Sequence, residues 1–371
     1  MKIALYTGTF VKDKDGVART LYELVKTIKE NDHKVMIWSP EISQGVEDES
    51  ISVQKLASVP VIVYPDYKVG FFGPRTKRQL DEFKPDVIQI STPDLVGREF
   101  LLYGKRNNIP VSSAYHTDFP SYLSYYQLGA FATPMWGYLK WFYNNSTVTL
   151  VPTRAMQKRL KEKGILNSVI WSRGIRGVDF SPDKRSEMLR EKWKARKKIV
   201  VLYSGRFVWY KDLKIYVSVS QKLIEKYGDR VRFVLLGSGP AEEDLKESMP
   251  YAVFPGYLTG EELSTAYASG DILLFPSTTE TFGNVVQESL ASGIPAVVSD
   301  SGGCKEIVEI SKGGLISRSK DVNSFFTNTS RLIEDKDLLN ELKKNALEFS
   351  KKRSWKYINE KLLDRYSTLS L

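Results

Sequence analysis

The chain has 371 residues, of which 42% are apolar and 26% are charged. That composition excludes a disordered chain, which would hold too few apolar residues, and also a collagen-like repeat or a coiled coil. The formal net charge is +10, because 54 Lys and Arg residues face 44 Asp and Glu residues. The length predicts two domains, each able to bury its own core.

The cysteine count and the length of the apolar runs predict the cellular compartment of the protein. Cys304 is the only cysteine, so an intramolecular disulfide is excluded and a reducing compartment, the cytoplasm, is expected. No apolar run approaches the roughly 20 residues of a membrane-spanning helix, and the N-terminal MKIALYTGTF predicts a first strand, not a signal peptide. Any membrane contact is therefore expected to be peripheral, on the cytoplasmic face.

The first half of the chain alternates short apolar runs with helical patterns, which predicts βαβ units on a parallel sheet. After a strand at 2–6, apolar residues recur at i, i+3, i+4 and i+7 from Leu21, which predicts a helix with one buried face. Four further strands are predicted at 35–38, 87–90, 111–114 and 148–151. A helix with a basic outer face is predicted at about 154–163.

The apolar pattern breaks at 173–185, and a second series of strands follows. These strands are predicted at 199–203, 231–236, 252–255, 272–275 and 296–299. We therefore expect a first domain at 1–178, a second at 179–350, and a C-terminal helix at 351–371 that crosses back to the first. The first 178 residues hold 24 basic and 17 acidic residues, so positive charge is concentrated there. Doubly wound domains in tandem bind ligands in a cleft between the carboxyl ends of their sheets.

The most informative segment is 275–303, FPSTTETFGNVVQESLASGIPAVVSDSGG. It predicts a strand followed by a helix that begins near Phe282 or Gly283, with Thr281 as the N-cap. A helix N-terminus presents backbone N–H groups and partial positive charge, and a glycine there removes the Cβ that would obstruct a phosphate. The segment therefore predicts a phosphate-binding turn.

Charged residues accompany this turn. Glu280 lies just before the helix and Glu288 within it, in an E-x7-E spacing suited to sugar hydroxyls and a ribose. Taken alone, two solvated glutamates are the simpler explanation. Arg206 and Lys211, however, follow the strand at 199–203, where two cations can neutralise a diphosphate. The joint occurrence favours a nucleotide-sugar site over surface salt bridges.

Short motifs run in order along nearly the whole chain. They are DGV at 15–17, YHTDFPSY at 115–122, LVPT at 150–153, RGVD at 176–179, SGR…K at 204–211, GSGP at 237–240, and E-x7-E followed by SGIPAVVSDSGG at 292–303. In order and spacing the chain resembles glycosyltransferase family 4. The resemblance implies the GT-B architecture, an α/β fold of two Rossmann-like, doubly wound domains facing a central cleft. It also implies retaining transfer of a hexosyl group from a UDP- or GDP-linked sugar to a hydroxyl acceptor.

The resemblance further implies roles for individual residues. Glu280 would contact the donor sugar's hydroxyls, Glu288 the nucleotide ribose, and Arg206 and Lys211 the diphosphate. Backbone contacts near the diphosphate and sugar are implied for Phe282, Gly283, Asn284 and Val285. Gly16, in the first βα loop, would let the backbone approach the diphosphate. Family members often have two glycines in that loop, where this chain has Asp-Gly.

His116 follows the strand at 111–114. A lone histidine is more often a core or capping residue, but within YHTD the resemblance implies that it lies beside the reacting sugar, where it donates a hydrogen bond or shapes the pocket. The resemblance thus implies four catalytic residues: His116, Arg206, Lys211 and Glu280. We do not expect His116 to be a metal ligand, because the sequence has no second histidine or cysteine pair near it. Asp118 is a candidate for contacting the acceptor, and an N-cap role for the next helix is its alternative. Cys304 is expected to be a structural thiol.

Fixed cations at the leaving diphosphate remove the need for a metal, so no obligatory cofactor is expected beyond the nucleotide-sugar co-substrate. Retention fits a front-face route or a double displacement through a carboxylate. The runner-up enzyme is a sugar-nucleotide 2-epimerase of the same fold, which usually needs several cleft histidines. A basic nucleic-acid-binding protein is a second class, but no nucleic-acid-binding motif is present and no such partner is expected.

The acceptor is predicted from aromatic residues, because 11 of the chain's 44 lie within 115–143. The resemblance in this segment is closest to α-mannosyltransferases and sulfoquinovosyltransferases that act on lipids. Aromatic rings with nearby cations suit an anionic membrane surface, so we expect a lipid or lipid-linked glycan acceptor to enter near Tyr122 and Tyr126. The alternatives are core packing, or a soluble sugar or glycan acceptor stacked on these rings.

Overall fold

The computed structural model describes residues 1–11, 16–43, 49–61, 64–118, 132–175 and 179–369. The chain divides into two compact units. Unit 1 comprises Met1–Arg173 and Trp355–Leu371, and unit 2 comprises Gly174–Ser354. These divisions lie five and four residues from the boundaries suggested by the sequence, 178 and 350.

Unit 1 contains nine strands in the described ranges. They are Lys2–Tyr6 (β1), Lys34–Ser39 (β2), Ile51–Lys55 (β3), Ser58–Val61 (β4), Tyr64–Gly70 (β5), Val87–Ile90 (β6), Val111–Ala114 (β7), Val148–Val151 (β8) and Ser168–Ile170 (β9). Seven form one parallel sheet of order β3-β2-β1-β6-β7-β8-β9, and β4 and β5 form a separate antiparallel pair. Helices connect the parallel strands: Gly16–Glu30 (α1), Pro74–Phe83 (α2), Leu95–Arg106 (α3), Ala132–Asn145 (α4) and Arg154–Glu162 (α5).

Unit 2 is a six-stranded parallel sheet of order β12-β11-β10-β13-β14-β15. Its strands are Ile199–Ser204 (β10), Val231–Leu236 (β11), Val253–Gly256 (β12), Ile272–Phe275 (β13), Ala296–Ser299 (β14) and Gly314–Ser317 (β15). Its helices are Glu187–Lys192 (α6), Leu213–Tyr227 (α7), Glu242–Ser248 (α8), Gly260–Ala268 (α9), Asn284–Ala291 (α10), Gly303–Ser311 (α11), Val322–Glu334 (α12) and Lys336–Lys351 (α13). Single 3₁₀ turns occur at Pro182–Lys184, Trp209–Lys211 and Gly228–Arg230.

Both faces of the unit 1 sheet are covered, which explains why its central strands are continuously apolar. Along β1, Ile3 and Leu5 belong to one buried cluster, whereas Ala4 and Tyr6 belong to the other. This alternation follows from the two-residue repeat of a strand. The last helix, Trp355–Leu369 (α14), packs on the same side as Ile3 and α1, and its Tyr366 hydroxyl donates to Gln89 in β6. Residues far apart in sequence therefore complete the core of unit 1.

Among the helices in the described parts of the chain, none is both long enough and apolar enough to cross a bilayer.

Candidate active site

The switch point of the unit 2 sheet lies between its two central strands. From β10 the chain moves outward to β11 and β12, whereas from β13 it moves the opposite way to β14 and β15. The loops that follow the two strands therefore diverge, and open α/β sheets bind ligands in the resulting crevice at the carboxyl edge. The loop after β10 comprises residues 205–212 and is called the β10 loop. The loop after β13 comprises residues 276–283 and is called the β13 loop.

An ion pair joins the two loops. The Lys211 Nζ lies 2.6 Å from the Glu280 Oε1, and the two side chains are only 17% and 20% exposed. Burial alone would lower the pKa of Lys211, but attraction and hydrogen bonding to the Glu280 carboxylate outweigh it, so the pKa is raised. Lys211 is therefore a permanent cation at the switch point. Both residues are sequence-predicted candidates, but their direct contact was not foreseen.

Asp212 makes a second connection between the loops. Its Oδ2 accepts hydrogen bonds from the backbone N–H and the hydroxyl of Thr278, at 3.0 and 2.8 Å. Its backbone is left-handed, with φ of 58°, a conformation that Asp tolerates better than most non-glycine residues. Asp212 was not among the candidate residues predicted from the sequence. Its position directly after Lys211, at the start of a helical pattern, was the available signal.

The N-terminus of α10 forms the third part of the site. The helix begins at Asn284, and Gly283, at φ of 103°, occupies the N-cap position, so the prediction that Thr281 caps it is wrong. Within the described residues, no side-chain hydrogen bond caps this helix. The first turn of a helix has N–H groups without intrahelical acceptors, which makes it suitable for an anion. Asn284 and Val285, both half-buried, supply that turn.

Close packing fixes the shape of the β13 loop. A Cβ on Gly283 would overlap the Sγ of Cys304, and one on Gly303 would lie 2.5 Å from the Cα of Phe282. The Gly303 N–H also donates to the Glu280 carbonyl at 2.8 Å. Burial raises the pKa of the Cys304 thiol well above its usual range, so the thiol stays neutral and serves as packing. The glycines after β14 are therefore required by the loop that carries Glu280.

The remaining unit 2 candidates differ in exposure. Glu288 lies inside α10 and is buried, as is Phe282. Arg206 is exposed on the β10 loop. That loop rests on the GSGP turn, where the Phe207 N–H donates to the Ser238 carbonyl at 2.9 Å. The unit 2 candidates thus lie on the two loops of the switch point and the helix that follows them.

His116 lies at the carboxyl end of β7 in unit 1 and is buried. Its Nδ1 is 2.7 Å from a guanidinium nitrogen of Arg173, which follows β9. Burial, and secondarily the charge of Arg173, lower the pKa of His116 well below its usual value. The histidine is therefore neutral at physiological pH. Arg173 was not among the sequence candidates, because nothing local to it indicates a contact with a residue 57 positions earlier.

The other unit 1 candidates are Asp118, Gly16, Tyr122 and Tyr126. Asp118 is buried, with Oδ1 accepting from the Tyr115 hydroxyl at 2.8 Å and Oδ2 lying 2.7 Å from Arg159. The residues that follow Asp118, where it was alternatively expected to cap a helix, lie outside the described residues, as do Tyr122 and Tyr126. Gly16, which was expected in the first βα loop, is instead the first residue of α1.

Among the described residues, no group of three or more His, Cys, Asp or Glu side chains is placed so that it could hold a metal ion.

Sequence comparison identifies the family. The "Glycosyltransferase Family 4" model matches residues 14–176, and the "Glycosyl transferases group 1" model matches residues 185–349. Sulfoquinovosyl transferase SQD2 of Arabidopsis thaliana is 30% identical over 94% of this chain and 69% of its own. The protein belongs to glycosyltransferase family 4. A GDP-mannose-dependent alpha-mannosyltransferase of Corynebacterium glutamicum, 28% identical, matches 99% of this chain and 89% of its own.

Solved glycosyltransferase structures share the fold. Anabaena HepE, crystallised with UDP, matches with a TM-score of 0.80 at 17% identity, over 99% of this chain and 100% of that one. The lipopolysaccharide glycosyltransferase WaaG matches with a TM-score of 0.76 at 12% identity, over 98% and 99% of the two chains. The predicted fold class, GT-B with two Rossmann-like α/β domains, is confirmed.

Proposed function

We propose that this glycosyltransferase is a retaining, metal-independent hexosyltransferase that uses a nucleotide sugar and a lipid or lipid-linked acceptor. The observation that carries the proposal is the Lys211–Glu280 pair, 2.6 Å apart across the switch point and followed by the α10 N-terminus. A cation and helix N–H groups suit a diphosphate, whereas a carboxylate suits sugar hydroxyls. These are the two halves of a nucleotide sugar on either side of the bond that breaks.

Leaving-group stabilisation is the main catalytic contribution in this proposal. Negative charge grows on the diphosphate as the glycosidic bond breaks, and Lys211, Arg206 and the first turn of α10 bind the charged oxygens. Each important fixed donor is worth about 3 kcal/mol in such a site. With these positive groups in place, charge neutralisation does not require a metal. Glu280 holds the sugar hydroxyls, Glu288 the ribose, and His116 donates to the sugar.

The nature of the donor and acceptor is proposed from relatives. Two of them are named for GDP-mannose and for sulfoquinovosyl transfer, and a Streptococcus pneumoniae relative, 25% identical over 80% of this chain, is an alpha-monoglucosyldiacylglycerol synthase. We infer a UDP- or GDP-linked hexose and a lipid hydroxyl. A soluble glycan acceptor remains the alternative that the experiment below distinguishes.

A surface of unit 1 supports membrane docking. Trp141, on α4, is 38% exposed and lies beneath the Arg98 guanidinium at 5.9 Å, and Leu95 is 70% exposed. On the same helix, the Trp136 ring faces the Lys163 ammonium at 5.3 Å. Apolar side chains flanked by cations suit an anionic lipid interface. Other aromatic residues of 115–143 pack in the core, among them Tyr115, Phe142 and Tyr143.

The catalytic proposal is tested by transfer assays in EDTA with UDP-glucose or GDP-mannose as donor. The acceptor is diacylglycerol in phosphatidylglycerol vesicles, or a water-soluble alkyl glycoside. Transfer to the vesicle lipid with an α-linked product is the expected result. A β-linked product, or activity restored only by Mg²⁺ or Mn²⁺, would contradict the retaining or metal-independent assignment. Efficient use of the soluble acceptor alone would establish the alternative.

Membrane docking has a separate test, flotation with anionic vesicles at low and high salt. Trp141→Ser is expected to weaken vesicle binding severalfold because it removes the exposed ring. Tyr357→Ser is the matched control. Tyr357 is 55% exposed, and the Lys361 ammonium lies 4.2 Å from the centre of its ring. It lies on α14, however, which packs on the other face of the sheet. An equal loss of vesicle binding in both variants, or no vesicle binding by the parent protein, would refute membrane docking through this surface.

A further inference from the structure

The contact between Arg173 and His116 determines where the histidine carries its hydrogen. The two side chains are buried, at 5% and 8% exposure, and the arginine Nη2 lies 2.7 Å from the histidine Nδ1. A guanidinium group has only donors, so Nδ1 must be the acceptor. A neutral imidazole that accepts at Nδ1 carries its hydrogen at Nε2. The geometry therefore selects one of the two tautomers.

The guanidinium is itself held in place by Trp171. Its Nη1 donates to the Trp171 backbone carbonyl at 3.1 Å, and its Cζ lies 4.9 Å from the Trp171 ring centre. The same ring meets His116 edge-on, with centroids 5.8 Å apart. A planar, rigid fork can satisfy the carbonyl and the imidazole together while stacking on a ring, and a lysine cannot. Arginine is therefore specifically suited to this position.

A buried chain of hydrogen bonds continues behind Trp171. Its indole Nε1 donates to the Asn359 side chain at 3.2 Å, and the Asn359 amide donates to the Thr27 hydroxyl at 3.2 Å. Asn359 lies on α14 and Thr27 on α1, and both are buried. Buried networks of this kind are rigid because breaking one bond leaves a polar group without solvent. The orientation of Arg173 is thus fixed by the body of unit 1.

We propose that Arg173 is a positioning residue for glycosyl transfer, which fixes His116 as the neutral tautomer with its hydrogen on Nε2 so that this N–H can donate to the sugar. The inference rests on the proposed function, in which His116 contacts the reacting sugar. Burial and the positive charge of Arg173 both lower the pKa of His116, which is consistent with a neutral ring. Arg173 itself acts only through the histidine.

The tautomer can be measured directly, because the chain has only two histidines. His33→Gln leaves His116 as the one histidine signal in ¹⁵N-histidine-labelled full-length protein. The expected ¹⁵N spectrum shows a protonated Nε2 and an unprotonated Nδ1 across neutral pH. Adding Arg173→Met is expected to introduce the other tautomer or the imidazolium. An unchanged spectrum in that variant would overturn the proposal.

Kinetics supply the second readout. Arg173→Met should lower kcat by about 10- to 100-fold, a typical effect of misplacing a reacting-site group, with KM for the nucleotide sugar within about twofold. Arg173→Lys should recover part of the loss. Tyr366→Phe is the structural control, since it removes another buried hydrogen bond of unit 1 and should leave kcat and the tautomer unchanged. If Arg173→Met behaves like Tyr366→Phe, Arg173 is merely structural.

The two readouts also separate this proposal from the function on which it rests. A parent enzyme that transfers no sugar from any nucleotide donor refutes the proposed function and with it the catalytic purpose of Arg173. A tautomer change in Arg173→Met together with unaltered kcat refutes the positioning role while the proposed function stands.

Discussion

Asp212 provides a sharp test of how the site is held together, because one carboxylate oxygen joins the β10 and β13 loops through two hydrogen bonds to Thr278. A hydrogen bond to a charged group contributes about 1.5–3 kcal/mol when buried. Asp212 is half-buried, so we take about 1 kcal/mol for each bond after discounting for solvent. Removing both bonds should therefore cost about 2 kcal/mol.

The backbone adds a separable contribution. At φ of 58°, alanine in place of Asp212 should cost about 1 kcal/mol more than glycine, which adopts this conformation freely. Asp212→Gly should therefore lose about 2 kcal/mol and Asp212→Ala about 3 kcal/mol. Asp212→Asn keeps an acceptor oxygen and tolerates the conformation, so its loss should stay below about 1 kcal/mol.

Thermal unfolding checks this order. A domain of 150–250 residues loses about 2–4 °C of Tm per kcal/mol, so Asp212→Ala should lower the unit 2 transition by about 6–12 °C. Thr278→Val, alone and combined with Asp212→Gly, completes a double-mutant cycle. Because the bonds hold the loop that carries Glu280, kcat should fall along with stability. Equal Tm values for the Asn and Ala variants, or a coupling near zero in the cycle, would refute this reasoning.

Three further predictions concern the same site. Lys211→Ala should lower kcat by about 10²-fold or more in a transfer assay, because a leaving-group contact is lost; a change below threefold would contradict it. Glu288→Ala should raise the nucleotide Kd, measured by calorimetry, along with KM, because a ribose contact exists in ground and transition states alike; an unchanged Kd would remove the ribose assignment. Gly283→Ala should lower Tm and activity, because the alanine Cβ would overlap the Cys304 Sγ. Adding Cys304→Gly should restore part of the lost Tm and activity. If it restores neither, backbone strain at φ of 103° alone would explain the defect.

The strands that the sequence predicted best are the buried ones. Among them, β6, β7, β8, β11, β13 and β14 match their predicted bounds. The sequence missed the antiparallel strands β4 and β5. In the two parallel sheets it missed β3, β9 and β15, and it placed β12 one residue early. All four are edge strands of their sheets, where one side lacks a neighbour and the residues are largely half-buried. Partial burial weakens the apolar run on which the prediction depended.

Turn chemistry was harder to predict than the helices themselves. The sequence located α10 within two residues, but it assigned the N-cap to Thr281 on residue preference, whereas Gly283 holds that position. Preference for Ser, Thr, Asp or Asn reflects a hydrogen bond that the side chain can make to the first turn. Here the loop is shaped by packing against Cys304 and Gly303, which lie in another helix. Tertiary contacts therefore outweighed the local preference.

The sequence by itself determined the family, the two-domain α/β architecture and the residue types of the candidate site. These follow from local features: apolar periodicity, glycines at turns, and charged residues directly after strands. Only the tertiary structure decided which of these side chains contact each other. Lys211 meets Glu280 and Asp212 meets Thr278 because β10 and β13 are neighbours in the sheet, although the pairs are 69 and 66 residues apart. Strand order results from packing a whole domain, and no single segment encodes it.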